Sequence, residues 1–386
     1  MAARTQGTSK YIFGPVEQFD QRFDMYKRVR WDPALKELGK KLWNPSLPKG
    51  KEGYTLVERA FENAGWYVEM GYAKGIQIHD QGLYSWKSPE MARYHALPPG
   101  TRLEGADPAA MSRAVKVVAG ALGSCLTGIC ESDRRWLYSH SFHFVTREHQ
   151  KLEVPPEIRY AVVVAIEMDY QMVETSPSAV AGASTGIAYS QMAFVAGSLA
   201  QFIRDLGYTA LPSGNDTGLS VPMAVDAGLG ELGRNGLLIT RDFGPRVRLA
   251  KVLTDMPLEP DPPLELGVLD LCEKCKKCAR YCPGQAIPHG ERTTEAVNIS
   301  NNTGVLKWPV NAEKCLNYWA VNGTTCTNCI RVCPFNKPQG WFHTLVRWGV
   351  KNAPWANDLF IKGDDLLGYH KQLRTNAYWE GQGSRV

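Results

Sequence analysis

"CEKCKKCARYCP", residues 272–283 of this 386-residue chain, places Cys272, Cys275, Cys278 and Cys282 at C-x2-C-x2-C-x3-C-P spacing. Two residues between ligands let a turning backbone present three thiolates to three corners of one iron–sulfur cubane, while the ligand before proline leaves for a second cluster. A second copy follows in Cys315, Cys326, Cys329 and Cys333 before Pro334, with its first interval widened. The pair predicts crossed wiring of two [4Fe–4S] clusters. Cys272, Cys275, Cys278 and Cys333 hold one, and Cys315, Cys326, Cys329 and Cys282 hold the other. Zinc and disulfides also use such cysteines, but a zinc ribbon needs neither the third cysteine at x2 nor the fourth before proline in both copies. Cys125 and Cys130 are left over in an apolar segment and read as buried thiols.

Outward from the cysteines, "DMPLEPDPPLELG" forms a proline-rich boundary, and residues 267–340 read as a small cluster domain. About 250 residues precede it, far more than an electron carrier needs, which argues for a catalytic unit with its own cofactor. Residues 1–110, rich in Trp, Tyr, Gly and Pro, read as a wrapping unit of short helices and loops. Residues 111–266 carry the core, with a buried strand in "VPPEIRYAVVVAIEMDY" and a long helix from about Ser184 to Leu206, stopped by Gly207. On that helix Tyr189 stands at the end of a stripe of small residues, Ala193, Ala196, Gly197 and Ala200. The tail, 341–386, holds Trp341, Trp348, Trp355 and Trp379 and is expected to bury them against the core.

A hydrophobic content of 44% and a charged content of 22% are those of a globular protein, and no run approaches the roughly 18 apolar residues of a membrane helix. The formal charge is +5 with neutral cysteines. Two oxidised clusters with their thiolates carry about −2 each, bringing the sum to roughly +1 and leaving no electrostatic case for nucleic acid. "GLGELGRNG", residues 228–236, spells the dinucleotide spacing G-x-G-x-x-G. However, Gly236, Gly244 and Pro245 fall where the required helix should run, so the nicotinamide reading fails.

At "AYSQM", "GYTALPSGNDTGLSVPMAVDAGLGELGRNGLLIT" and "GPRVRLAKVLTDMPL", followed by the double cysteine motif, the chain resembles the corrinoid and iron–sulfur dependent reductive dehalogenases, over about residues 155–340. The resemblance implies an α+β fold: a nitroreductase-like corrinoid-binding α/β core joined to a bacterial ferredoxin-type domain with two [4Fe–4S] clusters. It implies cobalamin bound base-off as the second cofactor. Carried over, the proton-donating tyrosine is Tyr189, supported by Asn215 and Arg248. "GLGELGRNG" becomes a corrinoid loop, with Gly230, Gly233, Arg234, Asn235 and Gly236, together with Ser213, as contacts. The guanidinium is expected to lower the phenol's pKa, and the small-residue stripe to make room for the macrocycle. The implied reaction delivers two electrons through the clusters to cobalt, giving Co(I). Halide then leaves a small organohalide, a chlorinated ethene or alkane, and Tyr189 protonates the product. Trp319, between cluster ligands, is a candidate channel wall.

Further expectations follow from this resemblance. An external donor supplies electrons, and a small hydrophobic subunit anchors the enzyme at the outer face of the cytoplasmic membrane after removal of a twin-arginine leader. A cytoplasmic enzyme is the alternative, and a homodimer is one option for the assembly. "QIHDQG" has Gln77 where a cobalt-ligating motif has Asp, so His79 reads as ordinary. His140, His143 and His149 resemble a metal set, but His140 and His143 point to opposite faces of a strand and are not read as one. The rival readings are an epoxyqueuosine reductase-like enzyme, which would carry an acidic proton donor, and a noncatalytic electron-transfer subunit without a corrinoid.

Overall fold

A computed structural model describes residues 7–43, 51–75, 80–88, 94–95, 97–98, 100–105 and 107–381. Gln77 and His79 lie outside the described residues.

The core is one antiparallel sheet. Its strands are β1 (Leu126–Glu131), β4 (Tyr160–Glu167), β5 (Ala210–Ser213) and β8 (Val247–Thr254), in the order β1-β4-β8-β5. Between β1 and β4 the chain makes a separate hairpin of β2 (His140–Phe142) and β3 (His149–Lys151). Between β5 and β8 it makes another, β6 (Glu231–Leu232) with β7 (Leu238–Ile239). The β-branched run "YAVVVAIE" makes β4 a central strand buried on both faces: Val162, Val164 and Ile166 point to one side, Ala161 and Val163 to the other.

Four helices position the rest. In chain order they are α1 (Leu56–Val68), α2 (Ala179–Asp205), α3 (Ser220–Asp226) and α4 (Ala312–Asn322). Helix α2 covers the Val162 face through Val195, Leu199 and Ile203, and α3 covers the opposite face through Met223, Ala224 and Val225. The long helix starts five residues before the expected Ser184. Ser178, following Pro177, accepts from the Ala181 amide as N-cap and so carries the helix back across an alanine- and glycine-rich turn. At its other end Gly207, at φ +86°, donates to Arg204 O while Tyr208 donates to Ile203 O, a Schellman stop.

The small-residue stripe of α2 proves to be a packing surface. Ala193, Ala196 and Ala200 are buried in the sheet-facing core, and a Cβ at Gly197 would stand 2.6 Å from the Leu83 carbonyl oxygen. Cofactor space therefore lies elsewhere. "GLGELGRNG" is also not a strand-to-helix loop. Glu231 pairs with Ile239 and Leu232 with Leu238, leaving Gly233–Gly236 as the hairpin turn.

Residues 7–43 run over the later parts of the chain, with Ile12 bridging Val305 and Asp20 bridging His140. The tail packs on the cysteine-rich region through Val350 and Ile361, beside Leu266, Val268 and Leu271. Three of its indoles stay largely in solvent, Trp341, Trp348 and Trp355 being 80%, 62% and 81% exposed, while Trp379, 47% exposed, lies 5.5 Å from the Phe61 ring of α1.

Candidate active site

The eight cysteines fall into two groups. Cys272, Cys275, Cys278 and Cys333 line one small pocket with Arg234, Asn235 and Phe335. Cys282, Cys315, Cys326 and Cys329 line a second, much larger cavity. These are the crossed sets read from the spacing. Burial holds the free thiols protonated: Cys315 and Cys333 are pushed up to about 12 and Cys326 to about 11. Neighbouring thiols raise each other further. Eight cysteines gathered in two groups of four suit two metal clusters that take them as thiolates.

Buried cations flank the cysteine groups. Arg234, 1% exposed, donates to the carbonyls of Cys272, Pro288 and Gly290 and lies over the Trp308 ring. Lys277 is buried against Asp364 and Asp365, and Lys337 reaches Asp364 at 2.8 Å. Asn235 sits between the groups, its amide 3.4 Å from the Cys329 carbonyl.

The larger cavity, about 510 Å³, joins the second cysteine group to Tyr189, Asn215, Arg248, Trp66, Tyr26 and Trp319. An adjoining cavity of about 490 Å³ shares Asp24, Tyr26, Tyr189, Asn215, Gly236 and Val310 with it. Gly236, at φ +74°, offers bare backbone to both, and Gly233 to the second. Neither is lined by Gly230, Arg234 or Ser213. A Cβ at Gly230 would meet the Ile239 carbonyl at 2.2 Å, so that glycine serves its own hairpin. Ser213 is wholly buried and donates to Asp216. The indole N–H groups of Trp308 and Trp319 and Arg248 Nε are buried in these walls without a protein partner. A double cavity with bare backbone and orphaned donors suits a large, amide-rimmed corrinoid.

Tyr189 extends from α2 into this space. Its ring stacks on Trp66 at 5.1 Å, with 28° between planes, and Asn215 Nδ2 donates to its hydroxyl at 2.9 Å. Arg248 lies 5.7 Å from the ring centre. Alternation along β8 puts Arg248 on the same face as Ala250 and Val252, toward α2. Lys251 points the other way and holds the Asn215 loop, donating to Gly214 O at 2.5 Å, Gly218 O at 2.9 Å and Ser220 Oγ at 3.1 Å. Helix α1 comes close enough for the Trp66 stack because α2 carries glycine there. A Cβ at Gly186 would stand 2.8 Å from the Trp66 amide nitrogen.

The electrostatics correct one expectation. Burial raises the Tyr189 pKa, and the lowering by Arg248 and Asn215 offsets this only in part. The phenol therefore keeps its proton at neutral pH, while the guanidinium and the amide favour its phenolate form. Tyr26 is likewise pushed up by burial, and Lys27 is lowered to about 8.

Gln21, Asp24, Tyr26, Lys27 and Trp66 were not legible as site residues. They come from aperiodic segments whose only signal was aromatic and charged composition, "FDQRFDMYKR" above all. Of the left-over cysteines, Cys130 is buried in the core, and Cys125, raised to about 12 by burial, points its thiol at the Ala165 carbonyl.

Comparison with known proteins agrees with this geometry. The family model of a 4Fe-4S double cluster binding domain matches residues 271–336. Over 385 residues the chain is 34% identical to the tetrachloroethene reductive dehalogenase of Sulfurospirillum multivorans, covering 91% of this chain and 76% of that protein. It is 39% identical over 381 residues to a tetrachloroethene reductive dehalogenase of Desulfitobacterium hafniense, covering 82% and 68%. Among solved structures, a catabolic reductive dehalogenase superposes with a TM-score of 0.71 at 23% identity, over 94% of this chain and 48% of the other, which shows the fold. The chain spans about half the length of that solved protein.

Proposed function

Because the chain belongs to the corrinoid and iron–sulfur dependent reductive dehalogenases, an oxidoreductase family, we propose that it replaces halogen by hydrogen on small chlorinated alkenes or alkanes. The observation that carries the reading is one cavity wall shared by Tyr189, Asn215 and Arg248 with the thiols Cys282, Cys315, Cys326 and Cys329. The balance is R–X + H⁺ + 2 e⁻ giving R–H + X⁻. Bound corrinoid and clusters supply the electrons, one at a time, and the low-valent cobalt that breaks the carbon–halogen bond.

The protein's own groups hold and deliver the proton. Tyr189 keeps its hydroxyl proton at neutral pH and gives it to the carbon that has lost halogen. The Asn215 amide and the Arg248 charge stabilise the phenolate that results. Stacking on Trp66 fixes the phenol plane, and Lys251 fixes the loop that brings Asn215 to it. Trp319 and Tyr26, 6.0 Å apart, form an aromatic wall that favours an apolar substrate. Tetrachloroethene appears in the names of the relatives above and sets the substrate class to try first.

An external electron donor and a small hydrophobic anchor subunit at the outer face of the cytoplasmic membrane belong to the same proposal. Among the described residues no helix is long and apolar enough to cross a membrane. Metal analysis tests the reading: protein made anaerobically with added cobalamin should hold about one cobalt and about eight irons per chain, with a base-off corrinoid spectrum. Iron without cobalt would leave only an electron-transfer protein.

A further inference from the structure

Outside the cavity, Asp20, His140 and His149 bring their ligand atoms within 4.8 Å of one another. The β2–β3 register explains the two imidazoles. His140 pairs with Lys151 and Phe142 with His149, so both histidines stand on one face of the hairpin. Their rings lie 4.9 Å apart, 33° from parallel. The carboxylate comes from far away in sequence: Asp20 forms a parallel bridge with His140, and both its oxygens lie within 3.0 Å of His149 Nε2. His143 stays outside, its Nδ1 accepting from the amides of Val145 and Thr146.

We propose that Asp20, His140 and His149 form a second metal site, for a zinc-class divalent cation. Two imidazoles and a carboxylate without thiolate are the ligands of such ions, and three protein ligands leave a position for water. Ser139 Oγ lies 3.0 Å from His140 Nδ1, which orients the ring and leaves Nε2 to the metal. The Arg22 amide donates to Asp20 Oδ1, holding the carboxylate in place. Ligand atoms about 2.0–2.2 Å from zinc stand roughly 3.3 Å from each other, so the His149–Asp20 pair, at 2.9–3.0 Å, opens by a few tenths of an ångström and the His140 atom, within 4.8 Å of both, closes by at most about 1.5 Å.

The site is a clasp. Asp20 opens the segment that carries Gln21, Asp24 and Tyr26 to the cavity, and Gln21 already ties the hairpin to the Asn215 loop, accepting from the Phe142 amide and donating to Asp216 O. A cation there pins the amino-terminal segment to the hairpin and steadies that wall.

The test uses holoenzyme stripped with a chelator that spares the clusters, then dialysed against zinc chloride. One zinc per chain is expected, with a nitrogen and oxygen shell near ~2.0 Å in X-ray absorption, and a melting temperature that rises on loading. His149→Gln should weaken zinc binding by about tenfold or more and abolish the thermal shift, with iron and cobalt content unchanged. Asp20→Asn, whose amide oxygen can still accept from the Arg22 amide, should do the same. Zinc bound through sulfur near ~2.3 Å, binding unchanged in both variants, or no retained zinc would each overturn the proposal.

Discussion

Asn215 Nδ2 donates to the Tyr189 hydroxyl over 2.9 Å, joining a residue of the loop after the edge strand β5 to one in the middle of the long helix. Neither residue is placed by its own neighbours alone: Lys251 ties down the loop, and Trp66 backs the phenol. The pair is thus held by the sheet and by the packed helices α1 and α2.

Arg248 sets how good an acid Tyr189 is. Because burial raises the phenol's pKa and Arg248 lowers it, Arg248→Gln should raise it further. Each unit makes the phenol a weaker acid by about 1.36 kcal/mol. Turnover at pH 7 should fall by about tenfold or more, while the alkaline limb, where rate is lost as Tyr189 deprotonates, moves to higher pH. A pH–rate profile checks both signs, and a limb that moves downward would contradict the assignment.

Gly186 should not tolerate a side chain. Alanine there would press on the Trp66 backbone and ring, at 2.6–2.8 Å, and push α1 from α2. We expect a loss of about 1–3 kcal/mol in stability and a fall in turnover as the Tyr189–Trp66 stack opens. Melting curves and rates on Gly186→Ala measure both, and an unchanged melting temperature would speak against the contact.

Lys251, fully buried, has its pKa lowered to about 8 by loss of solvation. Its folded pKa lies below the unfolded value, so its contribution is present above about pH 10.4 and is lost as pH falls through about 8. Lys251→Met should remove this pH dependence, worth up to about 3 kcal/mol across the window, and lower activity by loosening the Asn215 loop. The comparison is the difference in melting temperature between pH 7.5 and 9.5 for the two proteins. An equal slope in both would refute the claim.

Much of this was legible from the chain alone. Cysteine spacing is covalent in origin and local within each copy, so the crossed sets could be read, and "YAVVVAIE" announces a central strand by composition. The helix start at Ser178 was missed because alanine and glycine carry little periodic signal. The stripe Ala193, Ala196, Gly197 and Ala200 fits equally well against a macrocycle or a sheet, and only tertiary packing decides between them. Tyr26 and Trp66 enter the cavity from segments without periodicity, and Asp20 meets His149 from 129 residues away. Such contacts leave no trace in a single sequence.

The crossed wiring separates two cysteines that precede proline. Cys333→Ser should remove the cluster of Cys272, Cys275 and Cys278, and Cys282→Ser the one beside Tyr189. Each variant should lose about four irons and a different electron paramagnetic resonance signal. Loss of the same signal in both would contradict the pairing.

If Tyr189 supplies the proton, chloride release from tetrachloroethene by reduced Tyr189→Phe holoenzyme, with cobalt and iron content equal to the parent, should be slower by about 10²–10⁴-fold. Turnover at the parent rate would contradict it.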